Sequence, residues 1–223
     1  MKIKAAIFDM DGTLIDSLFY WESFWRAFGL KYFGKDNFDY DKDVDLHVRT
    51  MIFPEALAHI RSHYKLSASI EELKYFASDS LADFYEHEAT VKPGAREFLA
   101  HLKHEGIRIC LASATEMKYI KHALACHGLS DCFDSILSCA DIGKGKDVPD
   151  IYIKALKELG VSAEEACVFE DSYVALETAK GIGCHTVGIF DPNNYGQDRL
   201  KAASDIYVSE GQAFDILISH VQK

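Results

Sequence analysis

The chain has 223 residues, 48% hydrophobic and 26% charged, with only four prolines. That is enough apolar material for one large domain, or for a domain carrying an insertion, and the composition excludes extended disorder. A formal net charge of −11 argues against nucleic acid or an anionic membrane surface as a partner.

The first apolar run, "KAAIF" (4–8), reads as a buried strand and ends in "DMDGT", where two aspartates stand two places apart. Asp9 arrives too early for the apolar segment of a secretory signal, and no later run approaches a membrane span, so a cytoplasmic protein is expected. From about Asp16 to about Glu88 no strand is evident. "SLFYWESFWRAFGL", "DLHVRTMIFPEALAHIRSHY" and "SIEELKYFASDSLADFYEHE" carry helical periodicity and predict an all-helical insert. Its dense aromatics Phe19, Tyr20, Trp21, Phe24 and Trp25 are expected to form a bundle core rather than a ligand-stacking surface. The acidic run Asp36, Asp39, Asp41, Asp43 and Asp45 lacks the glycine and closing glutamate of a calcium loop and reads as a solvated edge. His47 and Arg49 read as an ordinary polar helix face.

"TVKPGA" (90–95) marks the return from the insert. "IRICLA" (107–112), "SIL" (135–137), "ACVF" (166–169), "HTVGIF" (185–190) and "DIYVS" (205–209) then alternate with helical patterns at 95–106, 117–128, 150–160 and 173–183. Continuous apolar strands separated by helices that stop near glycine predict an α/β fold with a mostly parallel sheet. The six cysteines (Cys110, Cys126, Cys132, Cys139, Cys167 and Cys184) form no C-x-x-C pair. They read as free thiols of a reducing compartment.

Ligands of such sheets bind beyond the carboxyl ends of the strands. Asp9, Ser113, the pair Glu170–Asp171 and a lysine of "KGKDVPD" all fall at such ends. Crowding Asp9, Asp11, Glu170 and Asp171 is costly unless a cation is shared, and an all-oxygen donor set without zinc-spaced histidines or cysteines points to Mg²⁺. Two aspartates beside a metal suit phosphoryl transfer. One attacks phosphorus in line, and the other protonates the departing oxygen and then deprotonates water. A serine hydroxyl and a lysine ammonium stabilise the transferring group. Ser113 could instead, or also, cap the helix that follows it.

"DMDGTLIDS" resembles the first motif of the haloacid dehalogenase superfamily, specifically its phosphatase-like and beta-phosphoglucomutase-like members with a helical cap after the first strand. "VKPGAREFLAHLKHEGIRICLASAT", "KDVPDIYIKALKELGV" and "CVFEDSYVALETAKGIGCHTVGI" are similar to the segments that follow, so the resemblance spans nearly the whole chain. It implies a Rossmann-like core (1–15 and 89–223) with an inserted all-α cap domain (16–88), hinged near Ile15 to Ser17 and near Glu88 to Pro93. It implies Asp9 as nucleophile and metal ligand, and Asp11 as acid–base, lending its backbone carbonyl to Mg²⁺. Ser113 becomes the phosphate-binding hydroxyl, and Lys146 the third-motif lysine, with Lys144 as the alternative. Asp171 becomes a metal ligand, and Glu170 either a ligand or an orienting neighbour. Asp147 stands where the family often has proline, and Ala175 where glycine is common.

The expected activity is Mg²⁺-dependent hydrolysis of a small phosphorylated metabolite such as a sugar phosphate or phosphoglycolate. The alternatives are a beta-phosphoglucomutase-like mutase, disfavoured because "DSLFYWESFW" lacks the histidine usual there, and a non-catalytic phosphometabolite-binding protein. A monomer and a dimer fit the sequence equally.

Overall fold

The structure, a computed structural model, describes residues 2–49 and 51–221, without the side chains of Ser23, Phe53, Asp79 and Ser80. In chain order the elements are β1 (Ala5–Phe8), β2 (Ile15–Asp16), α1 (Tyr20–Phe33), α2 (Lys42–Val48), α3 (Phe53–His63), α4 (Ile70–His87), β3 (Thr90–Val91), α5 (Ala95–His104) and β4 (Arg108–Ser113). Then follow α6 (Met117–Cys126), β5 (Ser135–Ser138), α7 (Cys139–Ile142), α8 (Asp150–Leu159), β6 (Ala166–Glu170), α9 (Tyr173–Gly181), β7 (His185–Ile189), α10 (Gln197–Ala203) and β8 (Ile206–Val208).

Six strands form one parallel sheet in the order β5-β4-β1-β6-β7-β8. Alternate residues of β1 feed two cores. Ala6 and Phe8 join one with Phe98 and Phe169, while Ala5 and Ile7 join the other with Tyr152 and Leu176. With both faces covered by helices, every residue of β1 is buried, which is why the strand is apolar without alternation. Strand order reverses direction about β1, so the residues just beyond β1, β4 and β6 share one crevice.

Helices α1 to α4 stand apart around their own core of Phe24, Trp25, Phe28, Leu57, Ile60 and Leu73. Two features of this region depart from the sequence expectation. The run 45–64 predicted one helix but holds two. α2 ends at Val48, and α3 restarts with Pro54 in its first turn, where a missing N–H costs nothing; Thr50 lies outside the described residues. A strand pair also joins the two ends of the helical insert, with Ile15 opposite Val91 and Asp16 opposite Thr90. Two-residue strands are too short to carry a period-2 signal.

The aromatics do form a bundle core, but Tyr20, Trp21 and Phe24 also line a cavity that runs to Asp9. The acidic run is not uniformly solvated either. Asp41 caps α2, accepting the N–H groups of Asp43 and Val44, whereas Asp45 is completely buried. The Asp45 carboxylate accepts the Trp25 indole N–H at 2.5 Å and the Arg49 guanidinium at 2.7 Å. The described cysteines are all free thiols, and no described helix is long and apolar enough to cross a membrane.

Asp45→Ala would leave a buried guanidinium and a buried indole N–H without their acceptor. A loss of about 3–5 kcal/mol is expected in urea denaturation, and a smaller loss for Asp45→Asn, which keeps one acceptor.

Candidate active site

The loop after β1 makes a tight turn. The Gly12 N–H bonds the Ile15 carbonyl at 2.8 Å, and the Leu14 N–H bonds Met10 at 2.9 Å. Gly12 has φ of +82°, and a Cβ there would lie 2.4 Å from Asp171 Oδ2. Glycine is therefore required twice over, for the turn and for the approach of the Asp171 carboxylate to the backbone.

Asp9 leaves β1 into the crevice, buried. Lys146, from the segment between α7 and α8, reaches in and donates to Asp9 Oδ1, and to Glu170 Oε1 at 2.5 Å. Glu170, the last residue of β6, also accepts the Tyr152 hydroxyl at 3.3 Å and the Ser172 N–H at 3.3 Å. Lys144 is exposed and pairs with Asp150 at 2.6 Å; of the two candidate lysines, Lys146 is the one in the crevice. Asp171 accepts Thr13 Oγ1 at 3.0 Å and Asn194 Nδ2 at 2.5 Å. Oxygens of Asp9, Glu170 and Asp171 all lie within 4.8 Å of one another. This compact, buried, all-oxygen set is suited to a small hard cation.

The Asp11 carboxylate stands outside that trio. Its Oδ1 accepts Ser17 Oγ and the Tyr85 hydroxyl, each at 2.7 Å, and its Oδ2 accepts Thr115 Oγ1 at 2.7 Å. Two aspartates adjacent in the motif therefore have different surroundings: Asp9 faces an ammonium and other carboxylates, Asp11 faces hydroxyl donors. Ser113, at the end of β4, is buried, and its oxygen accepts the Thr115 N–H at 3.1 Å. It does not cap the helix that follows; α6 is preceded by Glu116 at its N-cap. Ala175 is buried on α9, clear of the carboxylates' hydrogen bonds.

Burial raises the Asp9 carboxyl well above its ordinary range. Lys146 opposes the shift, while Glu170, Asp171 and Asp11 add to it. Asp171 is pushed up to about 7 by burial first and then by Glu170 and Asp191, against Lys92 and the Asn194 hydrogen bond. Burial works against the charge on Lys146, but Asp9 and Glu170 more than offset it, and the ammonium is held above its usual value. Tyr85 is raised well above its ordinary value by burial and then by Asp11, so it remains a proton-bearing donor.

Several groups at this site had no signal in the sequence. Tyr85 on α4, Thr115 and Ser17 meet Asp11 only through the tertiary fold. Arg49, expected on a plain polar helix face, is buried and aimed at the core: it donates to the Asn193 carbonyl at 2.7 Å and lies over the rings of Trp21 and Tyr195. With Tyr40 and Tyr195 hydroxyls 3.3 Å apart, this contact ties the helical insert to the 191–196 loop, whose Asn194 in turn holds Asp171.

A family model described as haloacid dehalogenase-like hydrolase matches residues 3–183. A phosphorylated carbohydrates phosphatase of Thermotoga maritima is 29% identical over 219 residues, 96% of this chain and 98% of its own length. The protein CbbY of Cereibacter sphaeroides is 31% identical over 214 residues, 91% of this chain and 90% of its own. The crystal structure of CbbY from Rhodobacter sphaeroides in complex with phosphate aligns with a TM-score of 0.78 at 26% identity, covering 96% of both chains.

The raised carboxyl of Asp171 has a thermodynamic consequence. Between its ordinary value near 3.8 and about 7 the folded state holds a proton that the unfolded state has released, so stability falls as pH rises through that window. In thermal scans of the chelator-treated protein, the melting temperature is expected to fall from pH 5 to pH 8. Added Mg²⁺ is expected to raise it more at pH 8 than at pH 5, and Asp171→Asn to flatten the pH trend.

Proposed function

This chain belongs to the haloacid dehalogenase-like hydrolases and is an enzyme of the phosphatase type, and from that premise we propose that it hydrolyses a small phosphomonoester, with Mg²⁺, through an aspartyl-phosphate on Asp9. The observation that carries this is the separation of the two carboxylates. Asp9 is set among Lys146 and the cation-binding acids, while Asp11, two residues on, is turned onto Tyr85, Ser17 and Thr115. Their different environments suit different tasks.

In the first half-reaction a carboxylate oxygen of Asp9 attacks phosphorus, and the phosphorus–oxygen bond to the alcohol breaks. The Asp11 carboxyl, entering protonated, gives its proton to the leaving oxygen. In the second, Asp11, now a carboxylate, takes a proton from water as that water attacks phosphorus. Inorganic phosphate leaves, Asp9 is a carboxylate again and Asp11 a carboxyl. Ser113 donates to a phosphoryl oxygen. The hydroxyl of Ser172, buried at the same end of the cavity without a partner among the described residues, is free to do likewise. Lys146 favours the ionised form of Asp9 and lowers the repulsion between nucleophile and phosphoryl group, and Glu170 with Tyr152 fixes that lysine in place. Mg²⁺, when held by Asp9, Asp171 and the Asp11 carbonyl with Glu170 beside them, would supply further positive charge against the phosphoryl oxygens.

Residues 16–88 act in this scheme as a cap over a core of 1–15 and 89–223. The Tyr85–Asp11 and Arg49–Asn193 contacts hold it down, which excludes bulk water from the intermediate. A mutase needs a place in the cap for a second phosphate. Among the described residues lining the cavity there, Arg49 is the cation, and Asp45 already neutralises it. That favours the hydrolase.

The test is phosphate release from a panel of phosphomonoesters, with and without Mg²⁺. Release that requires Mg²⁺, with kcat lowered about 10³-fold or more in Asp9→Asn, is expected. Equal turnover by Asp9→Asn and the unaltered protein would exclude Asp9 as nucleophile.

A further inference from the structure

The cavity that begins at Asp9 extends into the helical cap, and its far end has a different chemistry from its mouth. We propose that the end of the substrate remote from the phosphate is small, apolar and uncharged. This rests on the phosphomonoester hydrolase proposed above.

Beyond the carboxylates the walls are Phe24 from α1, Leu57 and Ile60 from α3, and Ala77, Leu81 and Phe84 from α4. Most hydroxyl and cationic groups that reach this space already have partners, though Trp21 and Glu116 also line it. The Tyr20 hydroxyl donates to the Ala77 carbonyl at 2.8 Å, the Tyr85 and Thr115 hydroxyls donate to Asp11, and Arg49 is held by Asp45 and Asn193. A substrate hydroxyl placed against Phe24, Leu57, Ile60 and Leu81 would therefore give up its water and gain few partners in return. A second phosphate or a carboxylate there would meet no unneutralised cation among the described lining residues besides Lys146, which sits at the catalytic end. Glu116, also on the lining, would repel it.

The whole cavity, from the carboxylates to the apolar walls, measures about 130 Å³, so its apolar part is smaller than that. The cap thus discriminates by what it lacks. It accepts a leaving group whose remote end needs no hydrogen bonds and disfavours one that does.

A matched series isolates the remote end. Pentyl phosphate, 5-hydroxypentyl phosphate and pentane-1,5-diol bisphosphate are esters of the same primary alcohol chain, so the reacting bond is constant. Acetyl phosphate, too short to enter the apolar part, reports turnover by the catalytic groups alone. The expected order of kcat/KM is pentyl phosphate above its hydroxylated analogue by about 10- to 100-fold, with the bisphosphate lower still. In Leu81→Gln the ratio of pentyl to hydroxypentyl phosphate should fall about tenfold. Because both substrates are measured on one preparation, an unfolded fraction cancels from that ratio. Equal or inverted preference in the unaltered protein, with acetyl phosphate hydrolysed, would overturn the apolar site and leave the hydrolase standing. No Mg²⁺-dependent release from any of the four would overturn the hydrolase itself, and this proposal with it.

Discussion

A lysine ammonium buried between two carboxylates is the constraint on which the rest of this site depends. Lys146 joins Asp9, at the end of the central strand β1, to Glu170, at the end of the neighbouring strand β6. Three acids converge here, and burial alone would drive Asp9 and Asp171 toward their neutral forms. A neutral Asp9 is a poor nucleophile. Lys146 opposes that shift without cancelling it, and in the proposed mechanism a cation on the remaining oxygens would complete the compensation. Removing one member of such a buried set leaves the others uncompensated, so its cost far exceeds the net worth of any single pair.

The same logic explains the second aspartate. In the proposed mechanism Asp11 exchanges its proton in every cycle, a task suited to a carboxyl set among hydroxyls rather than among the other acids. The turn at Gly12 throws Asp11 away from the trio and onto three hydroxyl donors, one of them Tyr85 on the cap. The helical insert therefore touches Asp11, the acid–base group of the proposed mechanism, and Arg49 fastens that insert to the loop that holds Asp171 through Asn194. Contacts of the helical insert thus reach both Asp11 and the loop that holds Asp171. The helical insert also supplies the apolar walls of the cavity, on which the proposed selectivity for the unreacting end of the substrate rests.

How much of this was legible in the sequence depended on the range of the interaction. The parallel sheet was readable because burial on both faces removes polar alternation from β1, β4 and β6, and Asp9, Ser113, Glu170 and Asp171 were readable because strand ends are where such sheets bind. Lys146 came from the P-D-I-Y spacing of a family resemblance; nothing local distinguishes it from Lys144, and only the fold shows one buried and the other on the surface. Arg49 and Asp45 look like any charged pair four apart on a helix, and their burial is decided by Trp25, Trp21 and Tyr195, far off in the chain. Tyr85 sits in an amphipathic helix whose period explains its burial but says nothing of what its hydroxyl meets. The aromatic stripe of α1 was expected to be core, and it serves as core and as cavity wall at once, a distinction periodicity does not carry.

The division of labour between Asp9 and Asp11 is open to one direct measurement. With 4-nitrophenyl phosphate the leaving group needs no proton, so Asp11→Asn should pass the first step and stall at the second. Rapid acid quench followed by peptide mass spectrometry is then expected to show a phosphoryl group on the peptide containing Asp9, accumulating to near one per active site in Asp11→Asn and only transiently in the unaltered protein. Multiple turnovers without any phosphorylated peptide, or a phosphoryl group on a peptide other than that of Asp9, would contradict the assignment of Asp9 as nucleophile.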